Sequence, residues 1–213
     1  MGVKTQSAVI LDMDDVLINT SSVIFMRLSL LFEKYPIREG MPYIYHLLAN
    51  PNREEILGSR YDFSKEFWRG YEKLRFAIRP KPIGNIKSKL ESLSQEGFSL
   101  GMLTNASLIK VNEFFISSLV DPSIFKIGVY SSDNLPYLKP NPLCFSAIKD
   151  LESYGKIFYV GDKLSDFHIA RENNIIFKGV CTGLTNNEDF CYLGVKPENI
   201  FPSVHEVIFN EKT

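Results

Sequence analysis

The chain has 213 residues, with 24 Lys and Arg against 25 Asp and Glu and a net charge of −1. That balance provides no field to attract a nucleic acid or an acidic membrane surface, so no polyanion partner is expected. Three cysteines, Cys144, Cys181 and Cys191, are too few and too irregularly spaced for a disulfide framework or a zinc cluster, and they fit a reducing cytoplasm.

The first apolar run, "SAVILDM", stops at acids after a handful of residues, which is too short for a signal peptide or a membrane span; no later run reaches membrane length. It reads as a buried strand, and "VILDMDDVL" places Asp12, Asp14 and Asp15 where that strand ends. From about Leu17 to Arg79 the pattern is helical only: "SSVIFMRLSLLFEKY", "MPYIYHLLA", "REEILGSR" and "DFSKEFWRGYEKLRFAI". This reads as an all-helical insertion with hinges near Ile18 and Pro80, its aromatic residues serving as its own core. Beyond "RPKP" the runs "FSLGMLT", "IFKIGVY", "KIFYVGD", "IIFKGV" and "EVIF" read as further strands. "IGNIKSKLESLSQEG" and "PLCFSAIKDLESYG" read as helices ending at Gly97 and Gly155, the second started by Asn141 and Pro142. Alternation of this kind predicts an α/β fold: a Rossmann-like parallel sheet with helices on both faces, plus the inserted helical segment. The domains expected are a core of residues 1–16 with 81–213 and a helical cap of residues 17–80.

In open parallel sheets ligands gather at the carboxyl ends of the strands. Those ends carry Asp12, Asp14 and Asp15; Thr104 and Asn105; and Asp162 and Asp166 in "GDKLSD", while Lys139 in "YLKPNP" precedes a helix start. Carboxylates from separate strands make an oxygen-rich site suited to Mg²⁺, which keeps several waters and takes one or two carboxylates plus phosphate oxygens. A lysine and a threonine hydroxyl would complement the remaining phosphate oxygens. With charge screened in this way, one carboxylate can attack phosphorus, and a second acid two residues along can protonate the leaving oxygen and later deprotonate water.

These segments, "LDMDDVL", "GMLTNAS", "YLKPNPLCF" and "YVGDKLSD", resemble in order and strand context the motifs of the haloacid dehalogenase-like superfamily, in its helical-cap subgroup of phosphoglycolate phosphatases and beta-phosphoglucomutases. The resemblance implies Asp12 as nucleophile and Asp14 as general acid/base. It implies Mg²⁺ held by Asp12, the Asp14 backbone carbonyl and Asp162. Thr104, Asn105 and Lys139 would bind the phosphoryl group, with Asp166 supporting the metal or Lys139. Most relatives have glycine after the second aspartate, where this chain has Asp15, a residue that tolerates unusual backbone angles.

The expected activity is Mg²⁺-dependent hydrolysis of a small phosphorylated metabolite. The alternatives are a sugar-phosphate mutase or a non-catalytic binding protein of the same fold. A dehalogenase needs only the nucleophile, so Asp14 argues against it. In capped relatives the cap recognises the leaving group, for which Arg27, Arg38, Arg53, Arg60 and Arg69 are candidates. Taken singly, each motif also has a plainer role: Thr104 and Asn105 as helix caps, Asp162 and Asp166 as acids of a helix first turn, Lys139 as a solvated lysine.

Overall fold

The computed structural model describes residues 6–34 and 65–209. Six strands form one parallel sheet: β1 (Ala8–Leu11), β2 (Ser99–Leu103), β3 (Gly128–Tyr130), β4 (Ile157–Gly161), β5 (Ile176–Val180) and β6 (Ile200–Phe201), in the order β3-β2-β1-β4-β5-β6. The chain moves outward from β1 through β2 to β3, then returns to β4 on the other side of β1. That reversal makes the gap between the ends of β1 and β4 the topological switch point, where open α/β sheets open a crevice. Register fixes the site's height. Leu11 pairs with Met102 on one side and Val160 on the other, so Asp12, Thr104 and Asp162 emerge within one residue of the same level.

Alternation along each strand divides the apolar residues between two clusters, one per sheet face. Val9, Leu11, Leu100, Met102, Phe158 and Val160 pack against α3 (Ile86–Gln95) and α4 (Leu108–Ser118). Ala8, Ile10, Leu103, Tyr159 and Phe177 pack against α5 (Leu164–Glu172) and α6 (Asn187–Tyr192) on the opposite face. The Rossmann-like α/β fold read from the sequence is thus the fold observed. Helix α3 follows its sequence signals closely: the Asn85 side chain accepts from Ser88 N, and Gly97 takes the left-handed φ of +95° just beyond its end.

Two readings are corrected. "PLCFSAIKDLESYG" is not an α-helix: it forms two short 3-10 turns, Pro142–Ala147 and Leu151–Ser153, separated where Ile148 turns extended and Asp150 takes φ +55°. Asn141 nevertheless caps the first of them, accepting from Leu143 N at 3.0 Å. The sixth strand is Ile200–Phe201 rather than "EVIF". Val207 and Phe209 of that run plug the core instead, the Phe209 ring lying 5.4 Å from Phe98 and 5.3 Å from Phe158.

The chain separates into two compact units, Met1–Asn19 with Lys81–Thr213, and Thr20–Pro80. Leu17 and Ile18 belong to the sheet's own core, and Ile18 bridges both Asp14 and Pro82. Within the second unit, α1 (Thr20–Lys34) and α2 (Lys65–Ala77) are described, and Phe67 of α2 is fully buried beside Phe32 of α1. "MPYIYHLLA" and "REEILGSR", with Arg38, Arg53 and Arg60, lie outside the described residues.

Arg27, a candidate for leaving-group recognition, has another partner. Its guanidinium is buried and donates through Nε to the Ile78 carbonyl at 2.8 Å and through Nη2 to the carbonyls of Ile78 and Arg75. A cation on the unpaired carbonyls at the end of α2 satisfies groups the helix itself leaves over. Arg69 is exposed. Arg27→Met should therefore destabilise the helical unit by about 1–3 kcal/mol, the range for stranding buried hydrogen-bond partners of a charged group. Urea denaturation checks this, and an unchanged midpoint would contradict it.

Candidate active site

The site begins where β1 runs out. Asp12 N still donates to Val160 O at 2.9 Å, so Asp12 is anchored by the sheet, and its Oδ1 accepts from Met13 N at 2.7 Å. The chain then folds back: Asp15 N donates to Ile18 O at 2.7 Å, and Asp15 takes φ +58° to close the turn. Aspartate thus adopts the left-handed backbone for which glycine is the usual choice. The Asp15 carbonyl accepts from the Thr182 hydroxyl, which ties this turn to the end of β5.

Lys139 reaches the site from the loop after β3. The Asn105 side chain holds its main chain as a second peptide would, Oδ1 accepting from Lys139 N at 2.9 Å and Nδ2 donating to Lys139 O at 2.7 Å. The Lys139 ammonium then lies 2.8 Å from Asp12 Oδ2 and donates to the Tyr159 hydroxyl at 2.9 Å and to Asp166 Oδ1 at 3.3 Å. Tyr159 donates to the same Asp166 oxygen at 2.9 Å. The other Asp166 oxygen accepts from Lys163 N at 3.2 Å, capping α5, so Asp166 serves both its helix and the lysine. Thr104 is fully buried, and its Oγ1 accepts from Ala106 N at 3.0 Å. Leu108 N at the start of α4 is taken by Asp133 Oδ2.

Asp12, Asp162 and Asp166 each turn one carboxylate oxygen into a space where all three lie within 4.8 Å of one another. Among the described residues, the buried side-chain oxygens with no hydrogen-bond donor aligned on them are Asp12 Oδ2 and Asp162 Oδ1. For Asp12 Oδ2 the Lys139 charge is close by; for Asp162 Oδ1 the nearest cation is Lys163, 3.7 Å away on a half-exposed side chain. Asp14 is only half-buried and lies in the turn beyond, outside that trio.

Among the described residues, the carboxylates Asp12, Asp15, Asp162 and Asp166 are at most 2% exposed, and the Lys139 side chain is buried beside Asp12 and Asp166. Burial raises the Asp12 carboxyl above its ordinary value; Lys139 opposes this and Asp166 and Asp14 add to it. Burial pushes the Asp162 carboxyl well above its ordinary value, with Asp12, Asp166 and Asp15 contributing against Lys163. Burial alone would depress the Lys139 ammonium, but Asp12 and Asp166 outweigh it and hold its pKa above the usual value. Buried acids crowded in this way, with oxygens lacking donors, fit a hard divalent cation through Asp12, Asp162 and Asp166.

Tyr159, Thr182 and Gly183 were not singled out by sequence reasoning. A Cβ on Gly183 would stand 2.1 Å from Asp162 Oδ2, so the chain after β5 passes where no side chain fits. Gly161 is similar, 2.6 Å from the Asp166 Cβ. For Tyr159 a signal existed: a hydroxyl in the middle of a buried strand needs a partner.

The sequence profile of the haloacid dehalogenase-like hydrolases matches residues 9–180, and the chain belongs to that family. No curated protein matches it. Solved structures share its fold at low identity. A protein of Thermotoga maritima assigned as a beta-phosphoglucomutase has a TM-score of 0.73 at 19% identity, covering 94% of this chain and 95% of that one. A predicted phosphoglycolate phosphatase of Haemophilus somnus has a TM-score of 0.71 at 18% identity, covering 96% and 97%. A haloacid dehalogenase-like family hydrolase of Streptococcus pneumoniae has a TM-score of 0.67 at 17% identity, covering 94% and 95%. Among the described residues no helix is long and apolar enough to cross a membrane.

Because Asp162 binds its proton more tightly when folded than when unfolded, the metal-free protein should lose stability as the pH rises above the ordinary carboxylate value of 3.8. At neutral pH, Asp162→Asn should raise the melting temperature of EDTA-treated protein by a few degrees, since about 1 kcal/mol corresponds to roughly 2–4 °C in a chain of this size. The same change should abolish any rise produced by Mg²⁺. Differential scanning fluorimetry with and without Mg²⁺ reads both effects.

Proposed function

We propose that this hydrolase is a phosphatase acting on a small phosphate monoester, with Mg²⁺ held by Asp12 and Asp162 and supported by Asp166. The observation that carries the reading is the Lys139 ammonium placed 2.8 Å from Asp12 Oδ2 inside a group of buried acids. A bound divalent cation would supply positive charge against the phosphoryl oxygens and screen the carboxylates from the incoming dianion.

Asp12 is held by the sheet and by Met13 N, so one of its oxygens can attack phosphorus without the side chain reorganising. The new bond is Asp12 O–P; the ester P–O bond breaks. Asp14, half-buried in the next turn, gives its proton to the leaving oxygen. Water then attacks the aspartyl-phosphate, Asp14 takes its proton, and orthophosphate leaves with Asp12 regenerated. Lys139 and the Thr104 hydroxyl would meet the transferring group in this reading, and Asn105 acts through its grip on the Lys139 backbone. A halide leaves without needing a proton, whereas an alkoxide requires one, so an acid two residues after the nucleophile favours phosphoryl transfer over dehalogenation.

The test is a panel of phosphorylated metabolites assayed for released orthophosphate with Mg²⁺ and with excess EDTA. Asp12→Asn should abolish turnover with the fold retained, and Asp14→Asn should lower kcat by on the order of 10²–10⁴, the usual contribution of a general acid/base. Full turnover in EDTA, or undiminished rates in Asp12→Asn, would overturn the reading. Asp15→Gly should keep most of the turnover, because that position is required for its left-handed backbone and its carbonyl bond to Thr182. A loss matching that of Asp14→Asn would mean the acids are misassigned.

A further inference from the structure

We propose that Tyr159 is a positioning residue: its buried hydroxyl holds the Lys139 ammonium beside Asp12 instead of letting it collapse onto Asp166. The inference rests on the phosphatase reading for its kinetic consequence, and on geometry alone for the placement of Lys139.

A phenol has one proton to give and can accept in return. Here the proton goes to Asp166 Oδ1 at 2.9 Å, and Lys139 Nζ donates to the hydroxyl oxygen at 2.9 Å. The order cannot reverse, because an ammonium has no acceptor and the carboxylate no proton to return. Tyr159, Asp12 and Asp166 are each at most 2% exposed and the Lys139 side chain only 7%, so water is a poor substitute for either bond. The Lys139–Asp166 bond is the longer one, 3.3 Å, while Lys139 keeps 2.8 Å to Asp12. The hydroxyl thus answers part of the Asp166 charge that would otherwise draw the ammonium away from the nucleophile. The ring is set independently of the hydroxyl: it stands edge-on to Phe145 with centroids 5.2 Å apart and tilted to Phe177 at 6.3 Å. Phenylalanine at this position keeps that packing and removes the hydroxyl alone.

The experiment is Tyr159→Phe in the full chain, with p-nitrophenyl phosphate and inorganic phosphate as probes. The expected result is a fall of about 10- to 100-fold in kcat, the loss implied by one hydrogen bond to a charged group. Inhibition by inorganic phosphate should weaken in parallel, while the Mg²⁺ concentration for half-activation stays near wild type and the melting temperature falls by only a few degrees, the cost of one buried hydrogen bond to a carboxylate. Unchanged kcat and phosphate affinity would overturn the proposal. So would a loss that tracks the Mg²⁺ requirement and is recovered at saturating Mg²⁺, since that places the hydroxyl's effect in the metal site. A crystal structure of Tyr159→Phe separates failure here from failure of the phosphatase reading. With no hydrolysis by the wild type, a Lys139 ammonium displaced from Asp12 towards Asp166 supports the positioning role, and one that stays 2.8 Å from Asp12 Oδ2 refutes it.

Discussion

Burying the Lys139 ammonium between Asp12 and Asp166 is the constraint on which the rest of the site depends. A carboxylate taken out of water costs several kcal/mol unless an opposite charge and hydrogen bonds replace its hydration. One buried lysine cannot answer four buried carboxylates, so the protein distributes the remainder. Asp166 is shared among Lys139, Tyr159 and a helix N–H, Asp12 takes Met13 N, and Asp162 is left with an oxygen that no donor reaches. Stability is held back at this point while the surrounding core is complete. In the proposed reading, that local shortfall is what would give the site its affinity for an external cation.

The backbone around the site is shaped by the same crowding. The parallel register brings Asp12 and Asp162 to one edge at the switch point, where the peptide groups of both strands still pair. Bringing the acids this close leaves no room beside them, which is why a Cβ is absent at Gly161 and Gly183. Asp15 accepts a strained φ so that the turn can close and its carbonyl can meet Thr182. The second unit is satisfied internally in a different way: Arg27 spends its guanidinium on carbonyls at the end of α2, and Phe67 fills the space beside Phe32. A fold shared with proteins of several activities does not choose among them, so the reading as a phosphatase rests on Asp14, Lys139 and the acids around them.

What was legible in the sequence follows periodicity and strand ends. Five of the apolar runs became β1 to β5, and all seven expected site residues lie on the carboxyl edge of the sheet or in the loops that meet it. The readings that failed did so where local pattern and packing disagree. The spacing of Cys144, Phe145, Ile148 and Leu151 suits a helix, yet Asp150 in the left-handed region breaks the segment into two turns while the same side chains still reach the core. "EVIF" has a strand's composition, but Val207 and Phe209 gain more by filling the gap beside Phe98 and Phe158 than by adding an edge to the sheet.

The sequence by itself determined the layered α/β fold, the place of a second unit after the first strand, and which acids, hydroxyl and lysine stand at the strand ends, because each is encoded in a local period or a short spacing. Only the tertiary structure decided what those groups do to one another. Asp12 and Lys139 are 127 positions apart, and their 2.8 Å contact exists because the sheet register and the Asn105 amide set the height of the lysine loop. Tyr159 became part of the site, and Arg27 part of a helix end, through distances between elements. Such distances depend on how layers pack, which no local pattern of residues records.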